Sequence, residues 1–164
     1  MKVMDKKVCF GLIVATRGFF NPVLAGTARK ELLELLEELS IDYVIGSEDA
    51  TPHGTVENLE HAKIYARLFR ENAERIDGVL VILPNFGDEL GVVQTLDLAK
   101  LNVPVMVQAC KDELDKVSVF SRRDAFCGKL SVCNNLYQYN IPFTDTTLHT
   151  CDIKSRDFRG DLDR

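Results

Sequence analysis

The chain has no apolar run approaching ~20 residues, so nothing in it reads as a membrane span. It has no C-x-x-C, and its five cysteines (Cys9, Cys110, Cys127, Cys133, Cys151) are odd in number and irregularly spaced. Neither a zinc ribbon nor a thioredoxin motif is supported, and reduced thiols in a cytoplasmic protein are expected. It has no strongly basic stretch beyond its start, and Arg122-Arg123 is the one later basic pair of note. With a net charge of −5, that argues against a nucleic-acid partner. Neither internal repeats nor low-complexity segments are visible. The phosphate-cradling glycine patterns G-x-G-x-x-G and G-x-x-x-x-G-K-[ST] do not occur, and neither does G-x-S-x-G. No cysteine is followed six positions later by arginine, which excludes a C-x5-R phosphatase loop. The residues after the first strand, Thr16-Arg17-Gly18-Phe19-Phe20-Asn21, are too bulky for a flavin phosphate loop. They also lack the aspartate of a response regulator.

What is present suits one globular domain: 164 residues, 46% of them apolar and 27% charged. The basic start (1–7) followed by apolar residues 8–15 mimics a short signal peptide. Thr16-Arg17-Gly18-Phe19-Phe20 is no cleavage site, so 8–15 is read as a first strand. Asn21-Pro22 supplies an N-cap with proline at the first helical position. Leu24, Ala28, Leu32, Leu35, Leu36 and Leu39 then share one helical face. Residues 42–46 form a short second strand and 47–55 a polar loop. A second helix spans 56–75. The run Gly78 to Leu83 is a strand buried on both faces, stopped by Pro84, with a third helix over 88–101. A fourth strand covers 105–109. Ser121-x-x-Asp124 resembles a capping box opening a fourth helix, with Phe126, Leu130, Cys133 and Tyr137 as its apolar face. Residues 142–150 read as an extended fifth strand. Ser155 would cap a last short helix.

Alternating strands and amphipathic helices predict a three-layer α/β sandwich around a parallel five-stranded sheet, flavodoxin- or Rossmann-like, in the order 2-1-3-4-5. The switch point then falls between the first and third strands. The loops 16–21 and 84–89 face each other there across one crevice, the first place to look for a ligand. Three features stand out. Arg17, beside Gly18, can fork onto hydroxyls, carboxylate or phosphate. Asn85 and Phe86 offer an amide and an aromatic face, a pairing that suits a sugar. Arg122 and Arg123 fall in the first turn of the fourth helix, against its dipole, which calls for a compensating anion or neighbouring domain. Asp88 and Glu89 fit the positive start of the third helix. The histidines give no metal constellation: His53 has no partner at ligand spacing, His61 sits in a helical pattern as a solvated or satisfied side chain, and His149 follows an extended segment and could reach a site.

Residues 79–89 (VLVILPNFGDE), 102–109 (NVPVMVQA), and 122–129 (RRDAFCGK) running on to 146–150 (TTLHT) resemble the N-terminal region of the L-fucose isomerase-like family, which includes arabinose isomerases. The resemblance covers most of the chain and is one of texture and order. It implies an aldose–ketose isomerase working on a sugar of the L-fucose or L-arabinose class by a proton or hydride shift between C1 and C2. It also implies a manganese-type divalent metal whose ligands, two carboxylates and a histidine, lie in later domains. This chain would be an N-terminal α/β domain over residues 1–150, with 151–164 as the start of the next segment, cut short. Such a domain would help close the sugar site of a neighbouring subunit in a trimer or hexamer. By this analogy Arg17, Asn85 and Phe86 touch substrate, and Asn21, Glu89, Arg122 and His149 stand behind them. No metal ligand and no catalytic group is expected in the chain itself. Two other readings stay open: a stand-alone flavodoxin-like module that binds a small molecule and regulates a partner, and a scaffold whose work is subunit contact.

Overall fold

A computed structural model describes residues 7–164. All but the last residue of the basic start read at 1–7 therefore lies outside the described residues. The elements run β1 (Cys9–Val14), α1 (Pro22–Glu38), β2 (Asp42–Val44), α2 (Leu59–Glu71), β3 (Gly78–Leu83), α3 (Glu89–Ala99), β4 (Val105–Ala109), α4 (Ala125–Gln138), β5 (Thr144–Asp145) and α5 (Arg156–Leu162), with a single 3-10 turn at Pro52–Gly54. The five strands form one sheet in the order β2-β1-β3-β4-β5, every pair parallel. That is the doubly wound arrangement the alternating pattern predicts.

Both faces of the sheet are covered, which is why β3 is buried at all six positions and shows no polar alternation. On one face, Tyr65 and Phe69 of α2, Val92, Val93 and Leu96 of α3, and Val132 and Leu136 of α4 pack on Ile13, Val79, Val81, Leu83 and Val107. On the other, Ala25, Leu32, Leu35 and Leu36 of α1 meet Leu12, Val14, Leu80 and Ile82. Cys151, Ile153 and Phe158 join this second cluster, so the segment after residue 150 packs with α1 on the same sheet. Ser155 caps α5 as expected, accepting from the Phe158 amide at 3.2 Å.

Beyond shifts of one or two residues at β1, β2 and α3, four boundaries differ from the sequence reading. α2 starts at Leu59, with Asn58 as its N-cap, because Val56 is drawn into a parallel bridge with Ala15 instead of the helix. It stops at Glu71, and Asn72 caps it. β5 is two residues long: only Thr144 and Asp145 pair with β4, and side-chain partners take up Thr146 and Thr147. The fourth correction concerns α4. Ser121 caps nothing, since it sits in its own turn with Ser118, the hydroxyls 2.8 Å apart. The helix begins three residues further on, behind Asp124, which is left-handed (φ 51°) and makes no capping bond. Arg122 and Arg123 therefore precede the helix instead of lying in its first turn.

The buried stripe of α4 is Ala125, Gly128, Lys129, Val132 and Leu136, not Phe126, Leu130, Cys133 and Tyr137. Phe126, Leu130 and Tyr137 face outward, and Cys133 is only partly buried against the core. Both stripes have helical spacing. The small one wins because the loop after β3 presses directly on the helix: a Cβ on Gly128 would overlap the Phe86 carbonyl and come within 2.7 Å of its Cα.

Candidate functional site

Three loops meet at the carboxyl ends of β1, β2 and β3. The first, residues 15–21, leaves β1. Its start is held in the sheet by Ala15, whose amide donates to Ile82 O at 3.0 Å. The second, residues 55–58, is laid beside it: the Val56 amide donates to Val14 O at 2.9 Å, and the Thr16 amide to Val56 O at 3.0 Å. The third, residues 84–88, follows β3. Loops 16–21 and 84–89 thus do face each other, as the strand order requires.

The second loop is clamped from both faces of the sheet. Tyr65 on α2 donates its hydroxyl to Gly54 O at 2.5 Å, and the buried Arg29 of α1 donates to the same oxygen at 3.3 Å. Gly54 is left-handed (φ +57°), and a side chain there would strike the Arg29 guanidinium. Burial pushes the Tyr65 phenol up to about 12, against the pull of nearby Arg29.

The third loop is fixed at every residue. Asn85 is fully buried. Its amide donates to Thr16 Oγ1 at 2.8 Å and its carbonyl accepts from the Gly87 amide at 3.1 Å. Asn85 thereby ties the two loops together and builds the turn whose left-handed position is Gly87 (φ +73°). Arg123 donates to Pro84 O at 2.9 Å. Asp88 caps α3 through the Gly91 amide at 2.6 Å.

On this frame stands a compact cluster. The Arg17 guanidinium lies 4.4 Å from the centre of the Phe86 ring and pairs with the Glu89 carboxylate. A cation over an aromatic face and a cation–carboxylate pair hold it from two directions. Phe20 lies nearly parallel to Phe86 with centroids 6.4 Å apart, and the exposed Phe19 packs on Phe20 at 4.7 Å. Arg17 keeps its Nε buried without a partner.

The other residues singled out from the sequence have local partners. Asn21 caps α1, accepting from the Val23 amide at 3.0 Å. Arg122 pairs with Asp124 at 2.9 Å, so the compensating anion lies two residues along the chain. His149 has an exposed imidazole 3.8 Å from Asp145 and 5.6 Å from the Phe126 ring, which ties it to the β5–α4 side. Beneath it Lys129, buried, donates to Thr146 Oγ1 at 2.8 Å and His149 O at 3.0 Å and pairs with Asp145.

Phe19 and Glu57 belong to this crevice and were missed in the sequence. Glu57 falls inside the helix that the spacing predicts from residue 56, three residues before α2 starts. The rule that every loop at the carboxyl edge of the sheet is a candidate would have reached it. A hollow of about 580 Å³ lies between the amino ends of β4 and β5, lined by Leu101, Pro104, Ile141 and Phe143, and is separate from this crevice. Among the described residues, no three His, Cys, Asp or Glu side chains are placed to hold a metal ion.

The family model for the fucose/sulfoquinovose isomerase N-terminal domain matches residues 11–164. No curated protein sequence matches the chain significantly.

Proposed function

Because the chain belongs to the fucose/sulfoquinovose isomerase N-terminal domain family, we propose that it forms one wall of the sugar site of an aldose–ketose isomerase. Its part is binding and orientation. The observation that carries this reading is the Arg17–Phe86–Glu89 cluster at the switch point, on loops braced by Asn85, Arg123 and Gly128. A guanidinium has five donors in a rigid fork; Glu89 engages one terminal nitrogen and the Nε is buried, which leaves the other terminal donors for sugar hydroxyls. Phe86 and Phe19 offer apolar surface to the face of a sugar ring. Asn85 contributes by holding the loop, since both ends of its amide are engaged.

The divalent metal of the complete enzyme, manganese or similar, is held by residues outside this chain, and so is the acid–base chemistry. The assembled enzyme is a homo-oligomer in which this wall closes the site of a neighbouring subunit. The free thiols of Cys110, Cys127, Cys133 and Cys151 suit a reducing compartment such as the cytoplasm. In addition, no helix among the described residues is long and apolar enough to cross a membrane.

A titration of the isotope-labelled chain with L-fucose or L-arabinose at millimolar concentration tests the reading. Amide shifts are expected at Arg17, Gly18 and Phe86, and Arg17→Ala should abolish them. Shifts confined to other surfaces would overturn the proposed wall. The chain with added manganese should not interconvert the sugars, and turnover would refute the claim that the metal site lies elsewhere.

A further inference from the structure

We propose that Glu57 is the open hydrogen-bond acceptor of this crevice, and that it selects neutral polyhydroxy sugars over sulfonated or other anionic ones. This rests on the sugar-wall reading above and goes beyond it, because neither the sequence motifs nor the family match assigns a role to Glu57.

The backbone at Glu57 is fixed on both sides. Val56 is bridged to Ala15, and Asn58 caps α2 by accepting from the His61 amide at 3.0 Å. The side chain reaches over the first loop: a Cβ on Gly18 would overlap the Glu57 carboxylate oxygen. Glycine beside Arg17 therefore leaves the space that this carboxylate occupies. The second loop, which carries Glu57, lies close to the start of α3, where a Cβ on Gly91 would stand 3.0 Å from Val56 and 3.4 Å from the Asn58 nitrogen. Glu57 is thus set between the loop of Arg17 and the helix that carries Glu89.

Glu57 is half-buried and makes no hydrogen bond or ion pair with the described residues. Arg17, the cation next to Gly18, is already engaged by Glu89. An ionised carboxylate only accepts, at about four lone-pair sites. Sugar hydroxyls donate, and bonds from them to a charged acceptor are stronger than neutral ones. Two carboxylates, Glu57 beside Gly18 and Glu89 paired with Arg17, line this part of the crevice. A sulfonate or carboxylate on the ligand would meet repulsion there that a hydroxyl does not.

The test compares L-fucose with sulfoquinovose on the labelled full chain, wild type and Glu57→Gln, by the Gly18 amide shift. The wild type should bind L-fucose more tightly than sulfoquinovose. Glu57→Gln keeps the shape and a neutral acceptor, so it should weaken L-fucose by about threefold to tenfold and strengthen sulfoquinovose. Gly18→Ala, which displaces the carboxylate without changing its charge, should also weaken L-fucose. Equal L-fucose affinity in wild type and Glu57→Gln, or a wild type that prefers sulfoquinovose, would overturn the role of Glu57 while leaving the sugar wall standing. A wild type whose crevice responds to no sugar would sink the sugar-wall reading, and this inference with it.

Discussion

Gly128 has no side chain because the backbone of Phe86 lies where one would be. The contact fixes the aromatic of the crevice relative to α4. Gly128→Ala must push the loop or the helix aside, at about 1–3 kcal/mol for an overpacked site. The expected outcome is a lower urea midpoint at unchanged slope, with amide shifts reaching Phe86 and Arg17. Asn85 is a second such residue. Its identity looked like recognition, yet its amide holds Thr16 on one side and Gly87 on the other. Asn85→Ala removes the bridging amide and leaves the Thr16 hydroxyl and the Gly87 amide without it, so a loss of about 1–3 kcal/mol is expected in the same urea measurement. Arg17 differs from both, being partly exposed and anchored, among the described residues, by Phe86 and Glu89. Its substitution should leave stability nearly unchanged and alter binding.

Among the elements, the loop after β2 shows how the site depends on distant anchors. Arg29 from one face of the sheet and Tyr65 from the other meet on the single carbonyl of Gly54. Tyr65→Phe removes the shorter bond while keeping the packing, so a cost of about 1–2 kcal/mol is expected. Hydrogen exchange should quicken at residues 54–57 while the core of β3 stays protected. α5 docks differently. Phe158 is fully buried against the α1 side, and buried Asp161 accepts from the Thr147 amide and hydroxyl, the latter at 2.6 Å. Phe158→Ala should cost about 3–5 kcal/mol by urea unfolding, as for other buried aromatics.

In the whole molecule, the buried thiols and phenol link stability to alkaline pH. Burial raises the Cys110 thiol from 9.0 to about 12 and the Tyr65 phenol from 10.0 to about 12. Both groups are protonated in the folded and unfolded chain below pH 9, so they make no difference there. Above it the unfolded chain loses these protons first, and stability falls as pH rises from about 9 towards 12. Urea midpoints at pH 7.5 and 8 should agree, and that at pH 10.5 should be lower. Cys110→Ala should reduce the alkaline decline. The same burial orders thiol reactivity: Cys127, which is exposed, should react with an aromatic disulfide reagent in the native protein, and Cys9, Cys110 and Cys151 only on unfolding.

Local pattern determined much of this protein. The apolar run of β3, the Asn21-Pro22 start of α1, the Val105–Ala109 strand and the Ser155 cap depend on neighbours in the chain, and each stands where the residues place it. The alternation of strand and helix also determined the sheet order, because a parallel sheet leaves few ways to connect. The order in turn places the Arg17 and Phe86 loops together.

Packing between distant segments decided the rest. Helical periodicity allowed two faces for α4, and only the closeness of the Phe86 backbone selected the one with Gly128. A helical pattern through Val56 gave way to a bridge with Ala15, because Val14 and Thr16 offered that residue backbone partners from 40 or more positions away. That exchange released Glu57 from a helix into the crevice. Hydrogen bonds between remote loops have no local signature, so the position of Glu57 beside Gly18 was decided by the tertiary structure.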